Sequence, residues 1–274
     1  MLRRVKHKTI DIYARAFGGA RFRRLNLFLL ELGAAGLGVG AAIPLDKEVD
    51  SVRTALAGVS DPVIMDVGAN VGDFSELVMA QYSGAQVYAF EPSAATFVKL
   101  AERAKSRGFV AIQAAMGAKA GKSVLFDRAD ASHGQHASLY EKVISELHHQ
   151  GGDGVRRQEI EVQIVDEFLA ARSIPHVHLL KIDAEGAELD ILKGAARSIA
   201  EGRIGAVHFE FNEMNLVSRS FMHDFLDILP NYDFYRIGRV SLIPILRAEA
   251  RLFSELFAYQ KVLAVRSGPT QKAV

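Results

Sequence analysis

The feature that most restricts this chain is a regular alternation of strand-like and helix-like segments, which begins at residue 61. Short apolar runs predict strands at 63–67, 86–90, 109–115, 177–182, 206–211, 232–237 and 257–265. Segments with helical spacing of apolar residues separate most of these runs. Alternating β and α units predict an α/β fold, in which a mostly parallel sheet carries helices on both faces.

The first of these units contains a glycine-rich turn. A predicted strand at 63–67 is followed by Gly-x-Asn-x-Gly at 68–72 and then by a helical pattern. Glycine permits backbone conformations closed to other residues and lets a ligand approach closely. The helix N-terminus behind the turn favours an anionic group, and Asp73 with Glu76 predicts a capping box there. The stretch is therefore predicted to cradle a ligand.

Two acids indicate which ligand this turn would hold. Asp66 precedes the turn and Glu91 ends the second predicted strand. A dinucleotide site would show Gly-x-Gly-x-x-Gly at this place, and the chain does not. An acid at the end of the second strand can accept hydrogen bonds from both hydroxyls of a ribose, and it would repel a 2′-phosphate. The pattern therefore favours a nucleoside with an unsubstituted ribose diol.

Several motifs together resemble a known family. Asp-Val-Gly-Ala-Asn-Val-Gly at 66–72, with Phe-Glu-Pro at 90–92, is similar to the class I S-adenosylmethionine-dependent methyltransferases. Lys-Ile-Asp-Ala-Glu-Gly-Ala-Glu at 181–188, Phe-Glu-Phe at 209–211 and Glu-Leu-Phe-Ala-Tyr-Gln at 255–260 resemble the later segments of the FkbM family within that class. The resemblance covers about residues 61–266.

The resemblance implies a fold and an activity. The fold is a Rossmann-like, doubly wound, seven-stranded and mostly parallel sheet whose last strand is antiparallel. The activity is methyl transfer from S-adenosylmethionine to a hydroxyl of a sugar, glycolipid or secondary metabolite. Carried over to this chain, the family's cofactor site comprises residues that line the methionine and ribose moieties and an acid that holds the ribose diol. The lining residues are Asp66, Gly68, Asn70 and Gly72, and the acid is Glu91.

Three acids at the ends of later strands are the candidate catalytic residues. Asp183 and Glu185 follow the fourth predicted strand and Glu210 ends the fifth, where sites of open parallel sheets lie. An alcohol must lose its proton as it accepts a methyl group, and a carboxylate or a histidine within hydrogen-bond reach could take that proton. We rank Glu185 first as this base or as an anchor for the acceptor hydroxyl, Asp183 second and Glu210 third. Glu185 could instead stabilise the first turn of a helix.

Two further interpretations concern the same charges. Strand alternation places Lys181 and Asp183 on one face, and it predicts that Lys181 could pair with Glu210 in the interior. The clustered carboxylates could also bind Mg²⁺, although we do not favour a metal.

A long insertion separates the third and fourth predicted strands, at about 124–175. Its polar part, at about 128–157, is predicted to be a lid or a substrate loop. Four of the nine histidines lie in this part: His133, His136, His148 and His149. A metal site at His133 and His136 is an alternative, but the spacing matches no standard motif, and solvated loop histidines are favoured.

The ends of the chain lie outside the main domain, which we place at 61–266. Residues 1–60 are predicted to be an N-terminal helical extension, and 267–274 a tail. Residues 1–24 contain eight basic residues and one acid, a net charge of +7, while the whole chain carries +1. The apolar stretch that follows is interrupted by Glu31 and by glycines. It is too short to span a membrane and ends without a cleavage site.

The extension admits three interpretations. Packing on the main domain is favoured, peripheral contact with an anionic membrane through residues 1–24 is the alternative, and nucleic-acid binding has the least support. The chain has no cysteine, which excludes disulfides and fits a reducing compartment. We therefore expect a cytoplasmic location, with or without membrane contact.

Three functions remain open. The favoured one is the O-methyltransferase, whose partner is a small-molecule or glycan hydroxyl. The second is a non-catalytic binding protein that kept the cofactor fold. A degraded glycine loop or a missing Glu91 would favour it, and the chain shows neither. The third is an RNA methyltransferase that uses the basic N-terminus.

Overall fold

The computed structural model describes residues 2–40, 42–128, 137–147, 154–248 and 255–268, which fold around an eight-stranded mixed sheet. Its strands are β1 (Val63–Val67), β2 (Gln86–Phe90), β3 (Val110–Ile112), β7 (Leu179–Ile182), β8 (Ala206–Phe211), β9 (Tyr232–Ile237), β10 (Leu242–Ile245) and β11 (Gln260–Arg266). A second, three-stranded sheet contains β4 (Ala115–Met116), β5 (Gly121–Arg128) and β6 (Val155–Gln163).

The order of the large sheet is β10-β9-β11-β8-β7-β1-β2-β3. The pairs from β8 to β3 are parallel, and the last strand, β11, is antiparallel as predicted. It lies between β8 and β9, and the sheet has eight strands where seven were predicted. The α/β fold with an antiparallel last strand is thus confirmed. The sequence did not predict β10, an additional edge strand that contains Pro244. Proline cannot donate to a strand ladder, so an apolar run that contains it is a weak strand signal.

One predicted strand proves to be two. The run at 109–115 divides into β3 of the large sheet and β4 of the small one. The small sheet joins β4 to β5 and β6, and most of β5 and all of β6 belong to the insertion at about 124–175.

The described residues form ten α-helices, among them those that cover the two faces of the large sheet. They are α1 (Leu2–Phe17), α2 (Arg23–Gly36), α3 (Leu45–Ala55), α4 (Asp73–Gln81), α5 (Ala94–Arg107), α6 (Val165–Ala171), α7 (Glu188–Lys193), α8 (Ala196–Ala200), α9 (Met214–Ser218) and α10 (Met222–Ile228). Successive side chains of a strand point to opposite faces. Accordingly, Met65 packs with α6, α7 and α10 in one core, and Ile64 packs with α3, α4 and α5 in the other.

The N-terminal extension consists of helices, but these differ in their packing. Val49 and Val52 of α3 are buried against the sheet. By contrast, α2 has no buried side chain, and the described side chains of α1 are all exposed. The predicted packing on the main domain is therefore found for α3 and not for α1 and α2. None of the helices described combines the length and the apolar character needed to cross a bilayer.

The predicted lid at 128–157 is described only in part, since 129–136 and 148–153 lie outside the described residues. His133, His136, His148 and His149 all fall there, so the histidine predictions stay untested. The described portion at 137–147 ends in a π-helical turn, Val143–Leu147, whose Val143 and Ile144 pack against Met214 of α9.

Candidate active site

A cleft opens at the carboxyl ends of β1, β2 and β7, where the large and small sheets meet. The empty space within it is about 700 Å³, a figure that includes the part open to solvent. Met116, Leu125 and Leu139 contribute apolar walls. Five of the eight predicted site residues line it: Gly68, Asn70, Glu91, Asp183 and Glu185. Asp66, Gly72 and Glu210 are not among the lining residues.

The two glycines of the turn are required by packing within the protein. Gly68 has φ +76°, and a Cβ there would lie 1.8 Å from the carbonyl oxygen of Asp183. Only glycine lets the loop after β1 approach the loop after β7 this closely. Gly72 has φ +89°, and its Cβ would lie 2.8 Å from Leu100 Cδ1 of α5. The positive φ angles agree with the predicted backbone freedom of both glycines, and Gly68 also borders the cleft.

The start of α4 also differs from the prediction. Gly72 occupies the N-cap position and Asp73 is the first residue of the helix, so the predicted capping box of Asp73 and Glu76 is wrong. The carboxylate of Asp73 pairs with Arg103 of α5, and Glu76 pairs with Arg107 at 2.5 Å. The first turn of α4 does not contribute to the cleft lining.

Asp66 lies beneath the cleft in a buried ion pair. Its carboxylate accepts hydrogen bonds from Lys181 Nζ at 3.1 Å and from Ser75 Oγ at 2.7 Å. Lys181 also lies 3.5 Å from the carboxylate of Asp183. Asp66 and Lys181 are direct neighbours in the β1–β7 register, which fixes this pair. Asp66 thereby supports the loop that follows it.

The predicted pairing of Lys181 with Glu210 is wrong. Glu210 is the register neighbour of Lys261 on β11, and Lys261 Nζ lies 4.0 Å from its carboxylate. Lys261 also pairs with Glu48 of α3 at 2.5 Å and lies 3.9 Å from Asp183. Neither Lys261 nor Glu48 was among the residues predicted for this site. The sequence held one indication of them, because each is a charged residue next to apolar residues that pack in the core. A charged residue in such a segment indicates a buried ion pair.

Glu91 and Asn70 meet at the cleft wall. The Asn70 backbone N–H donates to Glu91 Oε2 at 3.1 Å, and the Ser93 N–H donates to Oε1 at 2.8 Å. Each oxygen keeps a lone pair for a further donor. Burial, with smaller contributions from Asp127 and Asp66, raises the pKa of Glu91 to about 7 against the effect of the two N–H bonds.

Asn70 supplies an unsatisfied acceptor in the same wall. Its φ is +50°, and its buried Oδ1 has no hydrogen-bond partner among the described residues. A buried polar atom without a partner is costly, so a donor from a bound ligand or a water molecule would be favourable at this position. Together with Glu91, it fits a ligand that presents hydroxyl or ammonium donors.

Glu185 lies in the tight turn between β7 and α7, with φ +50°. Its carbonyl oxygen accepts a hydrogen bond from Ser138 Oγ at 2.7 Å, which ties the described part of the predicted lid to this loop. Since α7 begins at Glu188, Glu185 does not lie in a first helical turn. That position belongs to Glu188, whose carboxylate accepts from the N–H groups of Ala184 and Gly186 at 3.0 and 3.1 Å.

The other two candidate bases differ in proton affinity. Burial raises the pKa of Asp183, but Lys181 and Lys261 outweigh it and hold that pKa below its usual value. Burial and the neighbouring Asp183 carboxylate raise the pKa of Glu210 well above its usual value. The hydroxyl of Tyr259 also donates a hydrogen bond to Glu210. Asp183 is thus the weaker base at the cleft, and Glu210 is a stronger base behind it.

Within the part of the chain that the structure describes, no group of three or more His, Asp and Glu side chains is arranged to hold a metal ion. The carboxylates of Asp183 and Glu210 face the ammonium groups of Lys181 and Lys261.

Comparison with known proteins assigns the chain that carries this site to a family. The model of the FkbM methyltransferase domain matches residues 66–235. The methyltransferase sdnD of Sordaria araneosa is 27% identical over 157 residues, which is 49% of this chain and 61% of that protein. The hexuronic acid methyltransferase AglP of Haloferax volcanii is 28% identical over 158 residues, which is 57% of this chain and 59% of that protein. The matched region thus spans about six tenths of each relative.

Among solved structures, an FkbM methyltransferase from Methylobacillus flagellatus is similar with a TM-score of 0.45 and 15% identity. That match covers 76% of this chain and 45% of the other. The domain match carries the family assignment, because it covers more than half of the chain. It includes Asp66, Asn70, Glu91 and the acidic loop after β7, which contains Asp183 and Glu185. On this evidence, the chain belongs to the FkbM family of methyltransferases.

Proposed function

We propose that this protein transfers a methyl group from S-adenosylmethionine to a hydroxyl of a sugar, glycolipid or secondary metabolite. The observation that carries the proposal is the meeting of Glu91 and the unsatisfied Asn70 Oδ1 at the carboxyl ends of β1 and β2. This is where an open parallel sheet binds a nucleoside. The membership in a methyltransferase family supports the same ligand.

The residues present fit the cofactor. Glu91 would accept hydrogen bonds from the two ribose hydroxyls through its remaining lone pairs. Asn70 would accept one from a donor of the ligand, and Gly68 would border it. When bound, the cofactor supplies a methyl group on a positively charged sulfur.

The acidic loop after β7 would bind the acceptor and remove its proton. Glu185 borders the cleft and would hold the acceptor hydroxyl and take its proton as the methyl group is transferred. Asp183 borders the cleft too, but its two lysine neighbours weaken it as a base. The loop's tight connection to the lid through Ser138 would position Glu185, which matters because an in-line displacement depends on geometry.

The acceptor class can be tested with labelled cofactor. The relative from Haloferax volcanii is named a hexuronic acid methyltransferase, so uronic-acid saccharides form the first panel, followed by neutral glycans, glycolipids, secondary metabolites and RNA. We expect labelled methyl ether in a hydroxyl-bearing small molecule or glycan. Label in RNA alone would support the RNA methyltransferase, and cofactor binding without transfer to any acceptor would support the non-catalytic alternative.

Substitution of Glu91 by alanine is expected to weaken S-adenosylmethionine binding about a hundredfold at pH 8. It removes two hydrogen bonds to a charged acceptor, together worth roughly 3 kcal/mol. In the unsubstituted protein, affinity should fall as the pH drops below about 7, because protonation of Glu91 removes acceptor capacity. In the variant this pH dependence should disappear, and titration calorimetry between pH 6 and pH 8 measures both effects.

The control for this substitution is Glu159→Ala, which removes an exposed acid of β6 that pairs with Lys122. Its affinity for the cofactor should match that of the unsubstituted protein. An unchanged affinity in Glu91→Ala would show that the ribose does not bind at Glu91.

A further inference from the structure

The first two helices present an unpartnered apolar surface. On α2, Leu25, Phe28, Leu29 and Leu32 recur at the spacing of one helix face. Their exposed fractions are 42%, 54%, 44% and 53%. We call these four residues the apolar stripe. Such a row of large exposed side chains marks an interaction surface.

The two helices are held together independently of the stripe. The Tyr13 hydroxyl of α1 donates to Asn26 Oδ1 at 2.6 Å, and Asn26 Nδ2 donates to the Phe17 carbonyl at 2.8 Å. The ring of Phe17 lies 5.1 Å from those of Tyr13 and Phe22. Asn26 projects about 100° around the helix axis from Leu25. The contacts between the helices therefore leave the stripe uncovered.

Positive charge accompanies the stripe. Residues 1–24 carry a net charge of +7, which leaves about −6 on the remainder, since the whole chain carries +1. Lys6, Lys8, Arg21, Arg23 and Arg24 are exposed. The single acid, Asp11, pairs with Arg15 at 3.0 Å. The basic side chains thus remain available to an external anionic surface.

The combination points to one kind of partner. Exposed leucine and phenylalanine beside excess lysine and arginine is the composition of helices that lie on anionic bilayers. A second copy of the chain would bring two segments of +7 together, which is unfavourable. Nucleic acid would satisfy the charges and leave the apolar stripe in water.

We propose that α1 and α2 bind the surface of an anionic lipid bilayer, with the apolar stripe among the acyl chains and the basic side chains at the headgroups. The segment that joins α2 to the main domain lies at the edge of the sheet where the candidate active site opens. The Gly40 N–H, just beyond α2, donates to the Tyr259 carbonyl at 2.7 Å, and the Tyr259 side chain bonds to Glu210. If the proposed function holds, this placement favours a glycolipid among the acceptor classes.

Vesicle sedimentation with the full chain tests the proposal. The vesicles contain phosphatidylcholine alone or an equal mixture with phosphatidylglycerol, at 0.1 and 0.5 M NaCl. We expect at least tenfold tighter binding to the mixed vesicles at low salt, and weaker binding at high salt. Phe28→Asp with Leu29→Asp should reduce that binding at least tenfold. A matched control, Val98→Asp with Val240→Asp, introduces the same charges at exposed sites elsewhere and should bind as the unsubstituted protein does.

Other outcomes would overturn the proposal. These are absence of binding, equal binding to both vesicle types, or equal loss in the control variant. A dimer that Phe28→Asp with Leu29→Asp dissociates, without vesicle binding, would identify the stripe as a self-interface. Salt-sensitive RNA binding without vesicle binding would identify a nucleic-acid surface.

If circular dichroism shows that the stripe variant does not fold, Arg23→Glu with Arg24→Glu replaces it, and the same tenfold loss of vesicle binding is expected. Cofactor calorimetry on each variant separates this result from the proposed function, because vesicle binding can fail while cofactor binding persists.

Discussion

Substitution of Lys181 by methionine is expected to lower the free energy of unfolding by about 3–5 kcal/mol. The side chains of Lys181 and Asp66 are only 5% and 0% exposed, and their pair lies between β7 and β1 in the centre of the sheet. Methionine preserves much of the volume but leaves Asp66 as a buried charge without its ammonium partner. Removing one member of a buried pair costs far more than the pair itself contributes, because the remaining ion cannot return to water.

Urea denaturation at pH 7.5 measures this loss, and the chain offers a matched control. Lys193 pairs with Asp190 at 2.8 Å, but their side chains are 52% and 40% exposed. Lys193→Met should therefore cost less than about 1 kcal/mol. The double variant of Lys181→Met and Asp66→Leu should recover part of the loss. Equal small losses at Lys181 and Lys193 would contradict the buried pair.

Substitution of Glu185 by glutamine is expected to reduce turnover by about two to four orders of magnitude, the usual contribution of a general base. Glutamine has nearly the shape of glutamate, yet its amide cannot take the proton of the acceptor hydroxyl. The affinity for S-adenosylmethionine should stay within about twofold, because Glu91 and Asn70 form a separate part of the cleft wall. Steady-state kinetics with the acceptor found in the screen, together with cofactor calorimetry, separates the two quantities.

Three further variants rank the acids. Glu213→Gln changes an exposed acid beyond the end of β8 and should leave turnover unchanged. Asp183→Asn should reduce turnover less than Glu185→Gln, since the lysines already weaken Asp183 as a base. If Glu185→Gln is fully active while Glu210→Gln is not, then Glu210, whose pKa is raised, is the base.

Local sequence patterns predicted the strands well where one apolar run forms one strand of a single sheet. The bounds of β1, β2, β8 and β9 agree with the predicted runs, because each is a short apolar segment between turn residues. The run at 109–115 failed because its two halves belong to different sheets, and the pairing partners of β4 lie some 47 residues further along the chain.

The sequence alone did not predict which strands lie side by side, and therefore which charged residues pair across the sheet. Glu210 was the predicted partner of Lys181, but the strand order places Asp66 beside Lys181 and Lys261 beside Glu210. The requirement for glycine at position 68 is of the same kind, since it depends on the carbonyl oxygen of Asp183 in a loop far along the chain. Glu48 reaches the site from the N-terminal extension, whose packing the helical pattern does not specify.

The most direct test of the central claim is a calorimetric titration of S-adenosylmethionine into the full chain at pH 8, with melting temperature as a second readout. The account predicts saturable one-to-one binding that is about a hundredfold weaker in Glu91→Ala. Saturating cofactor should also raise the melting temperature of the unsubstituted protein. No heat and no thermal shift at millimolar S-adenosylmethionine would contradict the account.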